Sequence, residues 1–372
     1  MRKNIKVLMV VFNLSVANGV SSFVMNLFRA INHNKIHMDF VVYQNVESPY
    51  YEEIQKAGGQ VFILPSIKNL KNHMQTCQSI IQHGHYDIVH DNILILSIGI
   101  MYYAKKMRVP VRILHSHNSK LSDSKIKALR NKIFMPILKG KATDYTACSK
   151  SAAKGMFGRG IPCTIIPNTI SAEKLAFNPV TREKIRKSAG VENEFVIATV
   201  GRLAVQKNPF YAIDAVCEAK KIIPNLQYWW VGTGPLNKDI QQYVKYKHAE
   251  AYIRLLGNRT DVDRLYQAMD LFFLPSLFEG LPVTGLEAQA AGLPCLVSDS
   301  VSNEFVYTDL VTFFAISKEK STIVKTIKNI SEKININNRF KYKENLQKSK
   351  FSTENIGNLM DNFYQNLYRK RV

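Results

Sequence analysis

The sequence predicts an α/β protein made of two consecutive doubly wound parallel sheets. Three observations carry this. Short, almost continuously apolar runs alternate with helical patterns, the rhythm of βαβ units whose strands are covered on both faces. The rhythm pauses once, at the polar, proline-containing stretch NTISAEKLAFNPVTRE (168–183), and then restarts. A length of 372 residues exceeds one typical core and suits two domains.

The first domain, expected over 1–175, opens with the strand KVLMVVF (6–12). Gly19 then turns the chain into a helix, SSFVMNLFRAI. The strand series continues with MDFVVYQ (38–44), QVFILPS (60–66), YDIVHDN (86–92), PVRILHS (110–116), DYTACS (144–149) and CTIIPN (163–168). In the second domain, expected over 176–350, the strands are EFVIATVGR (194–202), QYWWVGTG (227–234), YIRLLGN (252–258), DLFFLPS (270–276), LPCLVSD (293–299) and VTFFAI (311–316). Residues 351–372 read as an amphipathic helix capped by Ser352 or Thr353, which is expected to pack back towards the first domain. In such folds ligands sit beyond the carboxyl ends of strands, so the loops there are where function is sought.

Composition narrows the function classes. Apolar residues make up 46% of the chain, enough for two cores and too many for a disordered one. Cys77, Cys148, Cys163, Cys217 and Cys295 lack metal-ligand spacing and read as reduced thiols of a cytoplasmic protein. The opening MRKNIKVLMVVFNLS resembles a secretory signal in charge, but Asn13 and Ser15 break its short apolar run, so it reads as a buried strand. No stretch approaches the roughly 20 apolar residues that span a bilayer. The net charge of +21 is uneven: residues 1–180 hold 23 Lys and Arg against 9 Asp and Glu, and residues 181–372 hold 27 against 20. The first half is therefore expected to meet something anionic, whether nucleic acid, a phospholipid surface or a phosphorylated substrate.

The stretch FEGLPVTGLEAQAAGLPCLVSD (278–299) places two acids, Glu279 and Glu287, around a helix start. Pro282 suits the first turn and Gly292 the end, so the helix is expected from about Val283 to Ala291. Free N–H groups around Leu281, Pro282, Val283 and Thr284 would favour a phosphate. Glu287 lies about 6 Å further along the axis at 1.5 Å per residue. The order acid, amides, acid matches sugar, diphosphate, ribose in a sugar nucleotide, although two solvated acids flanking a helix would have the same spacing. In GRLAVQKNP (201–209), Arg202 and Lys207 follow a strand and a Gly turn. Two cations there can hold a diphosphate and stabilise it as it leaves; without that context they read as ordinary surface charges.

With GRLAVQKN, WWVGTGPL (229–236), the segment 254–299 and NGVSSFVMNLFRA (18–30), the sequence resembles the retaining glycosyltransferases of family 4. Their fold, GT-B, sets two Rossmann-like domains facing across a cleft. The likeness runs over the whole chain and is strongest from 196 to 299. It implies that Arg202 and Lys207 bind the donor diphosphate, that Glu279 touches the donor sugar and that Glu287 holds the ribose. Gly234 would begin a loop near the nucleotide, and Arg254 to Asn258 would line the base pocket, with Asn258 and Arg259 less firmly placed. In the first domain the loop at Gly19 would approach the donor phosphates. Family members often carry a double glycine there; this chain has Asn18 in place of the first.

His115 and His117 in ILHSHNSK end the fifth strand. The resemblance implies that a histidine at this strand end contacts the donor sugar near the reacting carbon, with His117 the first match and His115 the second. Alternation puts both on one side and does not separate them. Paired imidazoles could instead bind zinc, but no Cys, Asp or Glu accompanies them, and no metal is expected. His90 in DIVHDN sits at another strand end. Residues 120–141, KLSDSKIKALRNKIFMPILKGK, hold seven Lys and Arg with Ile126, Leu129, Ile133, Phe134 and Leu138 at near-helical spacing, interrupted by Pro136. Such a segment can lie on an anionic membrane or be a core-facing helix with a solvated back.

The expectation is thus a cytoplasmic, retaining, metal-independent hexosyltransferase, peripheral on the inner face of the cell membrane and needing no cofactor. It would move a hexose or N-acetylhexosamine from a nucleotide diphosphate sugar, foremost a UDP-sugar, to a lipid-linked glycan of capsule or exopolysaccharide. His117, Glu279, Arg202 and Lys207 would carry catalysis. The alternatives are a sugar-nucleotide epimerase and a non-catalytic glycan-binding homologue. Nucleic acid is set aside, because the basic segment holds Phe134 as its one aromatic and no binding motif.

Overall fold

The computed structural model describes residues 4–16, 18–119, 125–317 and 320–372, and of 125–128 the backbone alone. The chain divides into two compact units: Met1–Thr169 with Thr353–Val372, and Ile170–Ser352. The division falls at 169/170 where the sequence placed it at 175/176. The polar stretch that suggested the boundary begins at Asn168, but its apolar residues Ala172, Leu175 and Phe177 are buried, so most of it folds as part of the second unit.

The first unit runs β1 (Ile5–Val11), α1 (Gly19–Ala30), β2 (Ile36–Val42), α2 (Pro49–Lys56), β3 (Val61–Ile63), α3 (Leu70–Gly84), β4 (Ile88–Asp91), α4 (Ile98–Lys106), β5 (Val111–Ser116), α5 (Lys125–Lys139), β6 (Asp144–Ala147), α6 (Lys150–Phe157) and β7 (Thr164–Ile165). The strands form one sheet in the order β3-β2-β1-β4-β5-β6-β7, with every described pair parallel. Both faces of β1 are buried: Val7 and Met9 point into one core with α1, while Leu8 and Val10 point into another with α3 and α4. That two-sided burial is why the strands read as unbroken apolar runs.

The second unit runs α7 (Ala172–Leu175), α8 (Pro179–Ala189), β8 (Phe195–Val200), α9 (Pro209–Lys220), β9 (Leu226–Val231), α10 (Asn237–Tyr246), β10 (Ile253–Gly257), α11 (Val262–Ala268), β11 (Leu271–Leu274), α12 (Val283–Ala290), β12 (Cys295–Ser298), β13 (Val311–Phe314), α13 (Lys320–Lys333) and α14 (Tyr342–Lys348). Its sheet order is β10-β9-β8-β11-β12-β13, again parallel in every described pair. The order reverses between β8 and β11. The loops leaving those two strands therefore diverge and open a crevice at the carboxyl edge.

α15 (Thr353–Arg369) closes the chain by joining the first unit. Ile356, Met360 and Tyr364 recur every four residues along one face and are buried in the core beside α1. Asp361 Oδ1 accepts from the Asn32 backbone N–H at 3.1 Å, just past the end of α1.

One expectation on α5 is corrected. Pro136 does not interrupt the helix, which continues to Lys139. Residues 120–124 of the basic segment lie outside the described residues. Met135 and Leu138 are buried, whereas Leu129, Ile133, Phe134 and Ile137 are exposed. Among the described residues no helix is long and apolar enough to cross a membrane.

Candidate functional site

In the second unit the loops after β8 and β11 meet at the reversal of strand order. After β8 the chain turns at Gly201, presents Arg202 as an exposed side chain, and forms a single 3-10 turn over Val205–Lys207. Lys207 folds back over Gly201: a Cβ there would stand 2.9 Å from Lys207 Cε and 3.3 Å from Cδ. The glycine therefore clears the path of the lysine. Lys207 Nζ ends 2.6 Å from Glu279 Oε1 in the loop after β11. Gln206 Nε2 donates to Glu279 Oε2 at 3.2 Å and to the Phe278 carbonyl at 3.0 Å, and Leu277 N–H donates to the Gln206 carbonyl at 2.8 Å. The two loops are thus laced together by backbone and by a charge pair whose side chains are 13% and 9% exposed.

Five residues beyond Pro282, on α12, stands Glu287. The helix begins at Val283 with Pro282 at the capping position and no side chain capping it. The Gly285 and Leu286 N–H groups both donate to the Pro282 carbonyl, at 3.0 and 3.1 Å, so the N–H groups of the first turn left without an intrahelical acceptor are those of Val283 and Thr284. Thr284 Oγ1, beside them, is buried without a hydrogen-bond partner. Leu281 is buried and seats the loop. Glu287 Oε2 accepts a 2.9 Å hydrogen bond from the Tyr266 hydroxyl of α11. Burial pushes the Glu287 carboxyl up to about 7, against the lowering effect of that hydrogen bond, and the Asp263 charge adds to the rise.

The turn after β9 packs on the same edge. Gly234 lies against the loop after β8 so closely that a Cβ would meet the Leu203 carbonyl oxygen at 2.3 Å. Leu203 N–H donates to the Thr233 carbonyl and Leu236 N–H to the Leu203 carbonyl, each at 3.0 Å. Thr233 Oγ1 donates to Asn258 Oδ1 at 3.1 Å, which ties in the loop after β10. Arg259 pairs with Asp261 at 2.8 Å. Arg254 is not brought to this group. It lies three residues before Gly257, the end of β10, about 10 Å back from the carboxyl edge. Its Nη1 donates to the Ala189 carbonyl at the end of α8. Being next to the motif in sequence did not fix its depth along the strand.

The end of α11 is held by three arginines. Arg339 Nη2 donates to the Tyr266 carbonyl at 2.9 Å, Arg186 Nη1 to Ala268 at 2.8 Å, and Arg182 Nη1 to Gln267 and Met269 at 3.0 Å each. Asp270 balances part of this charge, accepting from Arg182 at 2.5 Å and Arg186 at 3.0 Å. Tyr266 and Gln206 escaped the sequence reading. Both lie inside segments already singled out, yet nothing local marks their partners.

The first unit collects a second group. His115 and His117 stack with ring centroids 4.4 Å apart. His115 is wholly buried, with Nδ1 2.9 Å from Thr146 Oγ1 and 3.4 Å from His90 Nε2, while its Nε2 lacks a partner. His90 Nδ1 in turn lies 2.8 Å from the Tyr364 hydroxyl of α15. Of the two strand-end histidines, His117 is the one that keeps some exposure; its Nε2 lies 2.9 Å from Asn92 Oδ1. Burial pushes His117 and His90 down to about 3 and His115 well below its ordinary value, so all three rings are neutral near pH 7. Among the described residues no group of three or more His, Cys, Asp or Glu is arranged to hold a metal.

Asn18 caps α1: its Oδ1 accepts from Val20 N–H at 2.9 Å, with φ at −109°. The backbone there is extended, and the side chain that stands in place of the first glycine serves as a helix cap. Around Gly19 a Cβ would find nothing within 4 Å.

Comparison with known proteins identifies the family and the fold. The family model described as glycosyl transferases group 1 matches residues 181–347. The chain is 30% identical over 326 residues to "Putative glycosyltransferase EpsF" of Bacillus subtilis, covering 83% of each chain. It is 31% identical over 255 residues to the UDP-Gal:alpha-D-GlcNAc-diphosphoundecaprenol alpha-1,3-galactosyltransferase of Escherichia coli, covering 64% of this chain and 66% of that one. Among solved structures, Anabaena HepE in complex with UDP and glucose superposes with a TM-score of 0.79 at 18% identity, over 98% of this chain and 100% of that chain. WaaG, a glycosyltransferase involved in lipopolysaccharide biosynthesis, superposes with a TM-score of 0.75 at 15% identity, over 96% and 99%. These two likenesses bear out the two-domain α/β fold of the GT-B type.

Proposed function

Since this chain belongs to the group 1 glycosyl transferases, we propose that it transfers a hexose or N-acetylhexosamine, with retention, from a UDP-sugar to a lipid-linked glycan during exopolysaccharide or capsule synthesis. The observation that carries the reading is the charge arrangement at the strand-order reversal. Lys207 and Glu279 are paired at 2.6 Å, and α12 begins with no side-chain cap a few residues from Glu279. Arg202, Lys207 and the first amides of α12 hold the diphosphate and stabilise its added charge as it departs. Glu279 meets the sugar and Glu287 the ribose. The acceptor hydroxyl attacks from the face the diphosphate leaves, a departing phosphate oxygen taking its proton. No metal or cofactor enters these steps.

Support for the donor and acceptor comes from relatives. The Escherichia coli relative is named for UDP-galactose and a diphosphoundecaprenol-linked sugar, and HepE was solved with UDP and glucose. Support for a membrane surface comes from α5, where exposed Leu129, Ile133 and Ile137 line one helical face near Arg130 and Lys132. The test is a donor screen by nucleotide release, comparing UDP-, GDP- and ADP-sugars with a lipid-diphosphate saccharide acceptor. Isomerised donor without acceptor, or no turnover of any donor, ends the reading. Sedimentation with phosphatidylglycerol vesicles tests the surface: replacing Leu129, Ile133 and Ile137 by Ser should abolish binding, and unchanged binding removes α5 from the account.

A further inference from the structure

Glu287 is not a free-standing acid. Its Oε2 is held at 2.9 Å by the hydroxyl of Tyr266, a side chain with no exposed surface. That hydroxyl has one proton and two acceptors in reach, Glu287 Oε2 and the Thr284 carbonyl at 3.3 Å. The tyrosine cannot drift, because Arg339 grips its carbonyl, and Arg182 with Arg339 grips the next one, Gln267. A rigid helix end thus aims a phenol at one oxygen of an acid on a different helix.

We infer that Tyr266 is a positioning residue for the nucleotide's ribose: its buried hydroxyl fixes Glu287 Oε2, so that the carboxylate meets the vicinal hydroxyls in one set orientation. This rests on the reading of Glu287 as the ribose ligand. The physical gain is preorganisation. A carboxylate free to rotate loses that freedom on binding, and one already anchored does not. The phenol also favours the charged carboxylate, the form that accepts from two hydroxyls. The titratable groups acting on Glu287 are Tyr266 and Asp263, both on α11, and those acting on Tyr266 are Glu287 and Cys295 of β12. Burial keeps the phenol protonated well above its ordinary range, so Tyr266 remains a donor at every working pH.

The test uses UDP and 2′-deoxy-UDP, titrated calorimetrically into the full chain, Tyr266→Phe and Glu287→Gln. The native protein should prefer UDP by about tenfold to a hundredfold, the worth of a hydrogen bond to a charged group. Tyr266→Phe keeps the ring and its packing, which circular dichroism and a melt verify. It should weaken UDP by roughly three- to tenfold and 2′-deoxy-UDP by less than about twofold, the two affinities converging. Donor KM should rise by the same factor, with kcat held within about twofold. UDP affinity in the native protein should rise as pH passes through about 7, and in Tyr266→Phe that rise should move to higher pH. Equal weakening of both nucleotides, or an unmoved pH midpoint, overturns the inference and leaves the tyrosine a packing residue. The two readings fail separately. If Glu287→Gln keeps the native preference for UDP, Glu287 is not the ribose ligand and both fall. If Glu287→Gln abolishes the preference while Tyr266→Phe retains it, the positioning role alone falls.

Discussion

If the proposed roles hold, Glu279→Gln should separate the grip on the sugar from the grip on the diphosphate, because it leaves the size of the side chain and removes its charge. Lys207 Nζ stands 2.6 Å from Glu279 Oε1, with both side chains close to one-tenth exposed. At an effective dielectric near 20 the attraction at that distance is about 6 kcal/mol. Desolvation offsets most of it, and a charge-assisted hydrogen bond nets about 1.5–3 kcal/mol. A diphosphate arriving at Lys207 restores a similar bond. The residual cost of drawing the lysine off its partner is then about 1 kcal/mol, or roughly a fivefold change in affinity. Glu279→Gln should accordingly bind UDP about fivefold more tightly than the native protein. Sugar transfer should move the other way, with kcat lowered by about 100-fold or more as the carboxylate leaves the reacting sugar. Titration calorimetry with UDP and steady-state assays with the sugar nucleotide read the two effects. UDP binding weakened in step with turnover would refute the exchange of Lys207 between carboxylate and phosphate.

Gly234→Ala should raise the donor KM by about tenfold and destabilise by about 1–3 kcal/mol, since a Cβ 2.3 Å from the Leu203 carbonyl oxygen forces backbone to move; an unchanged KM would detach this turn from the site. Asp270→Ala leaves Arg182 and Arg186 buried without their carboxylate and should cost about 3–5 kcal/mol, read as an early thermal transition; an unaltered melt would mean that the carbonyls alone satisfy those cations. Neutral burial of His90, His115 and His117 predicts acid sensitivity. His90 and His117 are lowered to about 3 and His115 lies well below the ordinary 6.5, so the stability that neutral burial confers is complete above pH 6.5 and is lost as pH falls, for His90 and His117 towards about 3. His90→Asn should flatten the fall in melting temperature between pH 6.5 and 4, and an identical slope would assign the acid response to other groups.

The parallel sheets were legible because strands buried on both faces leave unbroken apolar runs, as in β1 and β8. The charged loops were legible for a related reason: Gly201, Arg202 and Lys207 follow a strand end directly, and strand ends are where such a fold places ligands. What stayed hidden depended on distance in space. Gln206 is an unremarkable glutamine until the loop after β11 lies across it, and Tyr266 reads as a core aromatic until α12 brings Glu287 to its hydroxyl. Arg254 erred in the opposite way, because a residue early in a strand points to the same motif in sequence but to a different level of the sheet. Asn18 was read only as standing where relatives often carry a glycine, whereas its side chain is recruited to hold the start of α1. Of His115 and His117, alternation could say only that they share a side; which one retains exposure was decided by how β5 ends.

The return of α15 imposes an order on biosynthesis. Residues 353–369 complete an apolar core begun by β1 and α1, and that core is sealed by contacts such as Tyr364 with His90 and Asp361 with Asn32. A ribosome delivers those residues after the whole of 170–352, so the segment first to emerge is the last able to finish. Released chains truncated after Ser352 should therefore yield a protease-resistant core from the later half while the earlier half remains digestible, and the missing helix supplied as a peptide should restore its protection.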